Sequence, residues 1–286
     1  MSRIDDLLTT ALKNMDERPP EDSSSSVKKA YSEQMSKVVA LAFADELRYR
    51  GMQGARPAGV GEVGGSGAER RLSGGIGAKK VDVTWATEES GLVLAYSVKT
   101  INFRDGRTKN YQKNLTNRRG DMLIEAVTLH RRFPYAVLAG FLFLDWGADS
   151  DHTGKRRSTW ENAHARLRLF TNRSDPAGRE EQFERLYLVL VDANKFTPRW
   201  RVTEVGAPGK TLDLDAVFME IIALVAERNF DFYEAGDNGK ITLISKRKTG
   251  AKPPALPDLE DEPEDDDDDN DEAEEDSEDD DEDDAT

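Results

Sequence analysis

Three polar residues have types and spacing that could support phosphodiester chemistry. Asp82 alternates with apolar residues in one segment, and Ser97 and Lys99 lie near the end of the next such segment. If Thr87 pairs with Leu92 across the intervening turn, Asp82 faces Ser97 in an antiparallel hairpin, with Lys99 diagonal to Asp82 on the same face. A carboxylate, a hydroxyl and an ammonium would then meet at one place.

This combination suits the hydrolysis of a phosphodiester with Mg²⁺ or Mn²⁺. Carboxylate oxygens bind hard cations, and such a cation polarises a phosphate. Lys99 would position an attacking water or help to deprotonate it. One carboxylate, Asp82, is a weak anchor for a metal ion, so a second acidic ligand is expected nearby.

The first candidate for that ligand is Glu46. Helical spacing over residues 28–50 places Glu46 in an apolar stripe with Met35 and Phe43. A carboxylate in such a stripe is costly unless it is paired, protonated or bound to a cation. Glu46 therefore requires a partner. The partner could be Lys99 or a metal ion, or Glu46 could be a structural carboxylate paired with another basic side chain.

The second candidate is Glu125, in a helix expected over residues 117–133. Glu125 lies on the side of this helix that carries Met122, away from the main apolar stripe of Leu123 and Val127, and one turn from Asp121. Two carboxylates at that spacing repel each other without a cation. Glu125 could equally be an ordinary solvated helix residue, and both candidates stay open at this point.

The elements that would position these residues alternate between helices and strands. This order predicts an α/β fold with a mixed central β-sheet flanked by helices. The apolar run 135–144 suits a strand buried on both faces. The helices are expected near 4–15, 28–50, 117–133, 159–170 and 213–228, and the strands near 80–85, 92–98, 135–144, 186–191 and 199–205, with a hairpin around 237–239.

Composition divides the chain into three segments. Residues 1–26 are predicted to be an N-terminal helix and a flexible linker, 27–250 the α/β domain that carries these polar residues, and 251–286 a disordered acidic tail. The helix carries an apolar stripe that includes Ile4 and Leu8. That stripe needs a partner, either on the body of the protein or on a second subunit, so a homodimer through this helix is one expectation.

Other features of the composition exclude several classes of protein. The 286 residues include no cysteine, which excludes a disulfide scaffold and a thiolate metal site. The most continuous apolar run, 135–144, is shorter than the 18 or more residues of a membrane helix. Acidic residues interrupt the apolar positions near the N-terminus, unlike a signal peptide. We therefore expect a cytoplasmic protein without a membrane partner.

Charge is distributed very unevenly along the chain. The formal net charge of −16 combines 22 acidic residues in 258–286 with a body of +6. The segment 99–132 holds nine basic and three acidic residues, which favours a DNA backbone as partner. Two arginines are expected to open helix 117–133, where backbone N–H groups also favour phosphate. The residues predicted to contact DNA are Lys109, Tyr111, Lys113, Arg118 and Arg119.

The order of these motifs resembles the PD-(D/E)XK nuclease superfamily, which includes many type II restriction endonucleases. The resemblance covers about residues 27–191 and depends on ADELRYRGM at 44–52, AKKVDVTW at 78–85 and YSVKTINF at 96–103. It implies a restriction-endonuclease-like fold, in which Asp82 binds the metal ion, Lys99 is catalytic and the carbonyl of Val98 is a further ligand. It also implies a magnesium-dependent DNA endonuclease, with a role in restriction or defence against foreign DNA.

Two positions depart from the family pattern. Val81 replaces the proline that often precedes the aspartate, and Ser97 stands where the family usually has Asp or Glu. Some restriction enzymes of this family also have Ser before x-Lys and take the missing carboxylate from a later helix. That precedent favours Glu125, whereas the glutamate of the family's first helix would match Glu46.

A different function class is also compatible with these residues. A nuclease fold without activity could bind nucleic acid or a protein partner, and Ser97 in place of a carboxylate is the feature that leaves this reading open. Cleavage of plasmid DNA with magnesium discriminates between the two classes.

The acidic segment leads to a first prediction. Most such segments only increase solubility, but 22 negative charges could also imitate a DNA backbone and compete for the basic face. Under the second hypothesis, deletion of residues 258–286 raises the affinity for DNA at low salt and has little effect at high salt. Fluorescence anisotropy with labelled DNA measures this change, and equal affinities at low salt would exclude the competition.

Overall fold

The computed structural model describes residues 1–59 and 70–244 of the chain. The helices in these residues are α1 (Arg3–Lys13), α2 (Ser25–Tyr49), α3 (Gln112–Arg132), α4 (Thr159–Leu167) and α5 (Leu214–Arg228). The strands are β1 (Arg70–Ser73), β2 (Ala78–Val81), β3 (Val83–Thr87), β4 (Gly91–Ile101), β5 (Val137–Asp145), β6 (Arg185–Asp192), β7 (Arg199–Glu204), β8 (Thr211–Leu212), β9 (Tyr233–Ala235) and β10 (Ile241–Leu243).

The central sheet has six strands in the order β3-β4-β5-β6-β7-β8. β4, β5 and β6 are parallel to one another, whereas β3, β7 and β8 pair antiparallel to their neighbours. The connections between the parallel strands contain α3 and α4, as parallel pairing requires a crossover. The predicted mixed sheet flanked by helices is therefore confirmed.

Apolar side chains cover both faces of this sheet. Along β5, Val137, Phe141 and Phe143 contribute to a core that includes residues of α1, α2 and α5. Leu138 and Leu142 point to the opposite face and pack with residues of α3 and α4. This alternation explains why the β5 sequence is apolar throughout: the strand has no solvated side.

α1 is part of the same core and is not a separate segment. A Ser2 capping box begins the helix, and Ile4, Leu8 and Leu12 are fully buried with residues of α2 and α5. The described residues between 1 and 244 accordingly belong to one compact unit. The apolar stripe of α1 packs against α2 and α5 of the same chain. A second subunit is therefore not needed to bury it.

The predicted acidic tail, 251–286, lies outside the described residues, as do the last residues of the predicted domain. In the part of the chain that is described, no helix combines the length and the apolarity needed to cross a bilayer.

Glu46 joins α1, α2 and α5 and is not free to bind a metal ion. Its side chain is 1% exposed, and its two oxygens accept hydrogen bonds from Arg3 at 2.7 Å and from Arg50 at 2.6 Å. Arg50 also pairs with Asp215 at the start of α5. The prediction of Glu46 as a metal ligand or partner of Lys99 is corrected: its charge is balanced by two arginines, one of them from the N-terminal helix.

We expect the variant Glu46→Ala to lower the free energy of unfolding by about 3 kcal/mol, because Arg50 loses a buried counterion. The variant Asp45→Ala is the matched control, since Asp45 also pairs with Arg3 but is 39% exposed. It should cost about 1 kcal/mol or less. Urea unfolding followed by circular dichroism compares the two, and equal losses would contradict a structural role specific to Glu46.

Candidate active site

The hairpin formed by β3 and β4 determines where the predicted residues meet. Thr87 pairs with Gly91 and not with the predicted Leu92, so the turn between the two strands is one residue shorter than expected. A bulge opposite Trp85 and Ala86, where β4 contributes the extra residue Val93, then shifts the register by one residue, and beyond it Val83 pairs with Tyr96. The bulge thus restores the pairing that was expected further along the hairpin.

Asp82 lies at a bend between β2 and β3, not in the middle of one strand as predicted. Continuing the β3–β4 register by one residue places it opposite Ser97. There its carboxylate accepts a hydrogen bond from the backbone N–H of Val98 at 2.6 Å. The side chain of Asp82 therefore replaces the backbone acceptor that a continuing strand would have supplied, and this fixes its orientation toward β4.

Lys99 connects two carboxylates. Its Nζ lies 3.1 Å from Oδ2 of Asp82 and 3.2 Å from Oε2 of Glu125. The hydroxyl of Ser97, on the same face of β4, donates to the same Glu125 oxygen at 3.2 Å. The structure therefore brings together four of the predicted residues, which we call the Asp82–Lys99–Glu125 cluster: Asp82, Ser97, Lys99 and Glu125.

Glu125 reaches the cluster because α3 packs closely on the sheet. Ser97 pairs with Gly140 of β5. A Cβ on Gly140 would lie 2.7 Å from the end of the Met122 side chain and would collide with Leu186. The glycine thus leaves room for the ends of the Met122 and Leu186 side chains against β5, at the turn of helix before Glu125. The alternative of a solvated Glu125 is wrong, since its side chain is 2% exposed.

Burial and charge act in opposite directions on these groups. Burial raises the pKa of Glu125, and the nearby Lys99 only partly offsets this rise. Burial opposes the charge on Lys99, but the carboxylates of Glu125 and Asp82 outweigh it and raise the pKa of Lys99 above its ordinary value. Lys99 is therefore a persistent cation, suited to holding a negatively charged oxygen and not to accepting a proton.

The oxygen donors of the cluster match what magnesium takes from proteins. Mg²⁺ is commonly held by one or two carboxylates, with waters and substrate phosphates completing its coordination. Asp82 and Glu125 already direct oxygens at one cation, the Lys99 ammonium. In the described residues no group of three or more His, Asp or Glu side chains suits a metal ion. Of the ligands predicted for Mg²⁺ or Mn²⁺, Asp82 and Glu125 are therefore close together, and the carbonyl of Val98 stays a prediction.

The cluster borders a cleft of about 830 Å³ between α2, the end of β4 and the first half of α3. Asp82, Val98 and Lys99 line it at the sheet. The cleft is polar, with seven basic and four acidic side chains along its walls. The basic ones are Lys28, Lys29, Lys37, Lys99, Arg104, Lys113 and Arg118.

The residues predicted to bind DNA lie in different environments. Tyr111 is 2% exposed, and its hydroxyl donates to Asp145 at 2.5 Å, so it is not available to stack on a base. Lys113 and Arg118 do line the cleft. Lys109 is exposed outside its lining, and Arg119 is half-buried.

The helix N-terminus is also in a different place from the predicted one. α3 begins at Gln112 and not at residue 117, so the arginines at 118 and 119 lie in its second turn. The backbone N–H of Gln112 already donates to the Asn110 side chain. The prediction that Arg118 and Arg119 open the helix beside free N–H groups is therefore wrong, although Arg118 still faces the cleft.

The sequence analysis missed two contributors. Lys79 of β2 lies near enough to Glu125 to lower its pKa in opposition to burial, and its place next to Lys80 in an exposed strand gave no sign of this. The lysines of the first half of α2 line the cleft as well. Lys28 and Lys29 lie about two helical turns before Lys37, which was visible in the sequence, but the wall that these lysines face was not.

Replacing Lys99 by Met should expose the cost of burying Glu125. With its main counterion removed, Glu125 has a folded-state pKa still further above its unfolded value, so the folded state binds more protons at intermediate pH. The free energy of unfolding should therefore fall by about 3 kcal/mol near neutral pH and recover as the pH falls toward 5. Urea unfolding at several pH values measures this. The double variant Lys99→Met/Glu125→Gln should lose the recovery, and a loss independent of pH would contradict the predicted coupling.

No protein-family model, curated protein or solved structure that was compared with this chain matches it. Its function must therefore be inferred from the residues of the cluster and of the cleft.

Proposed function

We propose that the protein is a magnesium-dependent DNA endonuclease with a restriction-endonuclease-like fold. The observation that carries the proposal is the position of Lys99 between Asp82 and Glu125, at a cleft with basic walls. A cation between two carboxylates beside a phosphate-binding surface is suited to phosphodiester hydrolysis. A role in restriction or defence and a cytoplasmic location follow only from the resemblance and the composition, and belong to the same proposal.

Asp82, Glu125 and the Val98 carbonyl would hold Mg²⁺ or Mn²⁺ beside the scissile phosphate. When bound there, a divalent cation supplies Lewis-acid chemistry and lowers the pKa of a coordinated water. Lys99 keeps its proton because two carboxylates surround it, so it would donate hydrogen bonds to a phosphate oxygen or orient the attacking water. Ser97 positions Glu125 through its hydroxyl.

Lys99 also supports the rival function, a nuclease-like module that binds DNA or a protein without cutting. Its ammonium already contacts both carboxylates, so the cluster has an internal counterion without a metal ion. Under this reading the cleft binds its partner and the cluster only stabilises the β4–α3 junction. Binding without cleavage separates the rival from the enzyme.

The test is incubation of supercoiled plasmid with the full chain and MgCl₂, followed by electrophoresis. We expect nicked or linear product with wild type, no product with EDTA, and rates at least about 100-fold lower for Lys99→Ala and Glu125→Gln, since both act directly on the reacting groups. Manganese should substitute for magnesium.

Asp121→Asn is the matched control, because Asp121 is a carboxylate on the same helix, one turn before Glu125, and lines the cleft outside the cluster. Its cleavage rate should stay near that of wild type. Equal rates for wild type and Lys99→Ala would assign the cleavage to a contaminant and overturn the proposal. Absence of cleavage by folded wild type with either metal would favour the rival.

A further inference from the structure

The cleft has a second wall that the segment 99–132 does not provide. The first half of α2 lines it with side chains one or two helical turns apart. Among them, Lys29 and Lys37 are exposed, and they stand eight residues apart on one helix. At 1.5 Å per residue they are about 12 Å apart along the axis, which matches the rise of three to four nucleotides in one strand of B-DNA.

The basic side chains of the two walls differ in their pairing. On the α3 side, Lys113 lies 3.6 Å from Asp105 and Arg118 lies 3.2 Å from Asp121. Within the described residues, neither Lys29 nor Lys37 has a carboxylate within ion-pair distance, although Glu33 lies between them on the same wall, one helical turn from each. Unpaired lysines release counterions when a phosphate binds, without first breaking an existing ion pair. The α2 wall can therefore bind a polyanion without that cost, which the two paired residues on the α3 side would bear.

Ser32 holds this wall at a fixed distance from the cluster. Its backbone carbonyl accepts a hydrogen bond from the Thr100 hydroxyl at 3.3 Å, and its own hydroxyl accepts one from the Asn102 amide at 3.1 Å. Thr100 follows Lys99 directly on β4, and Asn102 is the first residue after the strand. The helix that carries the lysines is thus attached to the strand that carries the cluster, so a backbone bound on α2 would have a defined position relative to Lys99.

We propose that the α2 wall, through Lys29 and Lys37, is the main contact of the protein with the phosphate backbone of duplex DNA. The choice of DNA as ligand rests on the proposed function. The assignment of the contact to α2 rests on the unpaired lysines, on their place in the same cleft as the cluster, and on the attachment through Ser32. It moves the principal binding surface away from the segment 99–132.

The experiment measures the binding of labelled duplex DNA by anisotropy, in EDTA to prevent cleavage, over a range of salt concentrations. The double variant Lys29→Ala/Lys37→Ala should reduce the slope of log K against log salt by about 1.8, since each phosphate contact contributes about 0.9. Between about 50 and 200 mM salt, the affinity of the variant should therefore fall by a factor that is roughly ten times smaller than the factor for wild type. The variant should also bind more weakly at low salt.

Lys13→Ala/Lys210→Ala is the matched control, because it removes the same charge from exposed lysines outside the cleft. A smaller slope in the α2 variant alone supports the inference. Equal slopes in both variants, or no binding of DNA by wild type, overturn it. If the protein cleaves plasmid but its DNA affinity is unchanged in Lys29→Ala/Lys37→Ala, only this inference is refuted. If DNA binding depends on these lysines but no cleavage occurs, only the proposed nuclease activity is refuted.

Discussion

The ion pairs of Lys99 with Asp82 and Glu125 are the interaction on which the site depends. Glu125 is almost fully buried, and a carboxylate in that environment is unfavourable unless a cation lies beside it. The same requirement constrains the surrounding structure. The bend at Asp82 directs its side chain toward β4, and Gly140 leaves room for the Met122 side chain of α3. Both features lie next to the cluster and shape its surroundings.

The cleft lies where the general rule for α/β sheets places a ligand. Lys99 is near the carboxyl end of β4, one of the three parallel strands, and ligands in such sheets commonly bind at the carboxyl ends of strands. Beyond this end, Asp145 of β5 receives the hydroxyl of Tyr111, while Arg18 donates to the backbone carbonyl of Asn102. The linker after α1 and the segment before α3 are thus both fastened to the strand ends, which gives the cleft firm borders.

Sequence periodicity predicted the parts of the site that depend on local geometry. The period of two in the hairpin placed Asp82 opposite Ser97, although the turn was misjudged by one residue, because the bulge compensates. The period of 3.6 placed Glu125 on the Met122 side of α3, but it assigned the main apolar stripe to Leu123 and Val127, whereas the structure buries the Met122 side. Periodicity therefore reported which residues share a face, but for α3 it did not identify which face is buried.

Contacts between distant segments were not predictable in the same way. Glu46 was correctly expected to face inward, but its partner Arg3 is 43 positions away and no pattern connects the two. The hydroxyl of Tyr111 is held by Asp145, 34 positions later, so its burial could not be read from its basic neighbours. A pattern can show that a buried charge needs a partner, whereas the identity of that partner is a property of the tertiary structure.

The three charged residues of the cluster lie on a bend, a strand and a helix, and this determines the order in which the cluster forms during folding. Glu125 lies in the crossover that separates the parallel strands β4 and β5, and such non-local pairing forms slowly compared with a hairpin. The hairpin can place Asp82 beside Lys99 by itself, but it cannot supply the third charge. A chain still emerging during synthesis would therefore hold a lysine and one aspartate, and it would acquire the complete constellation only after the following strand had docked.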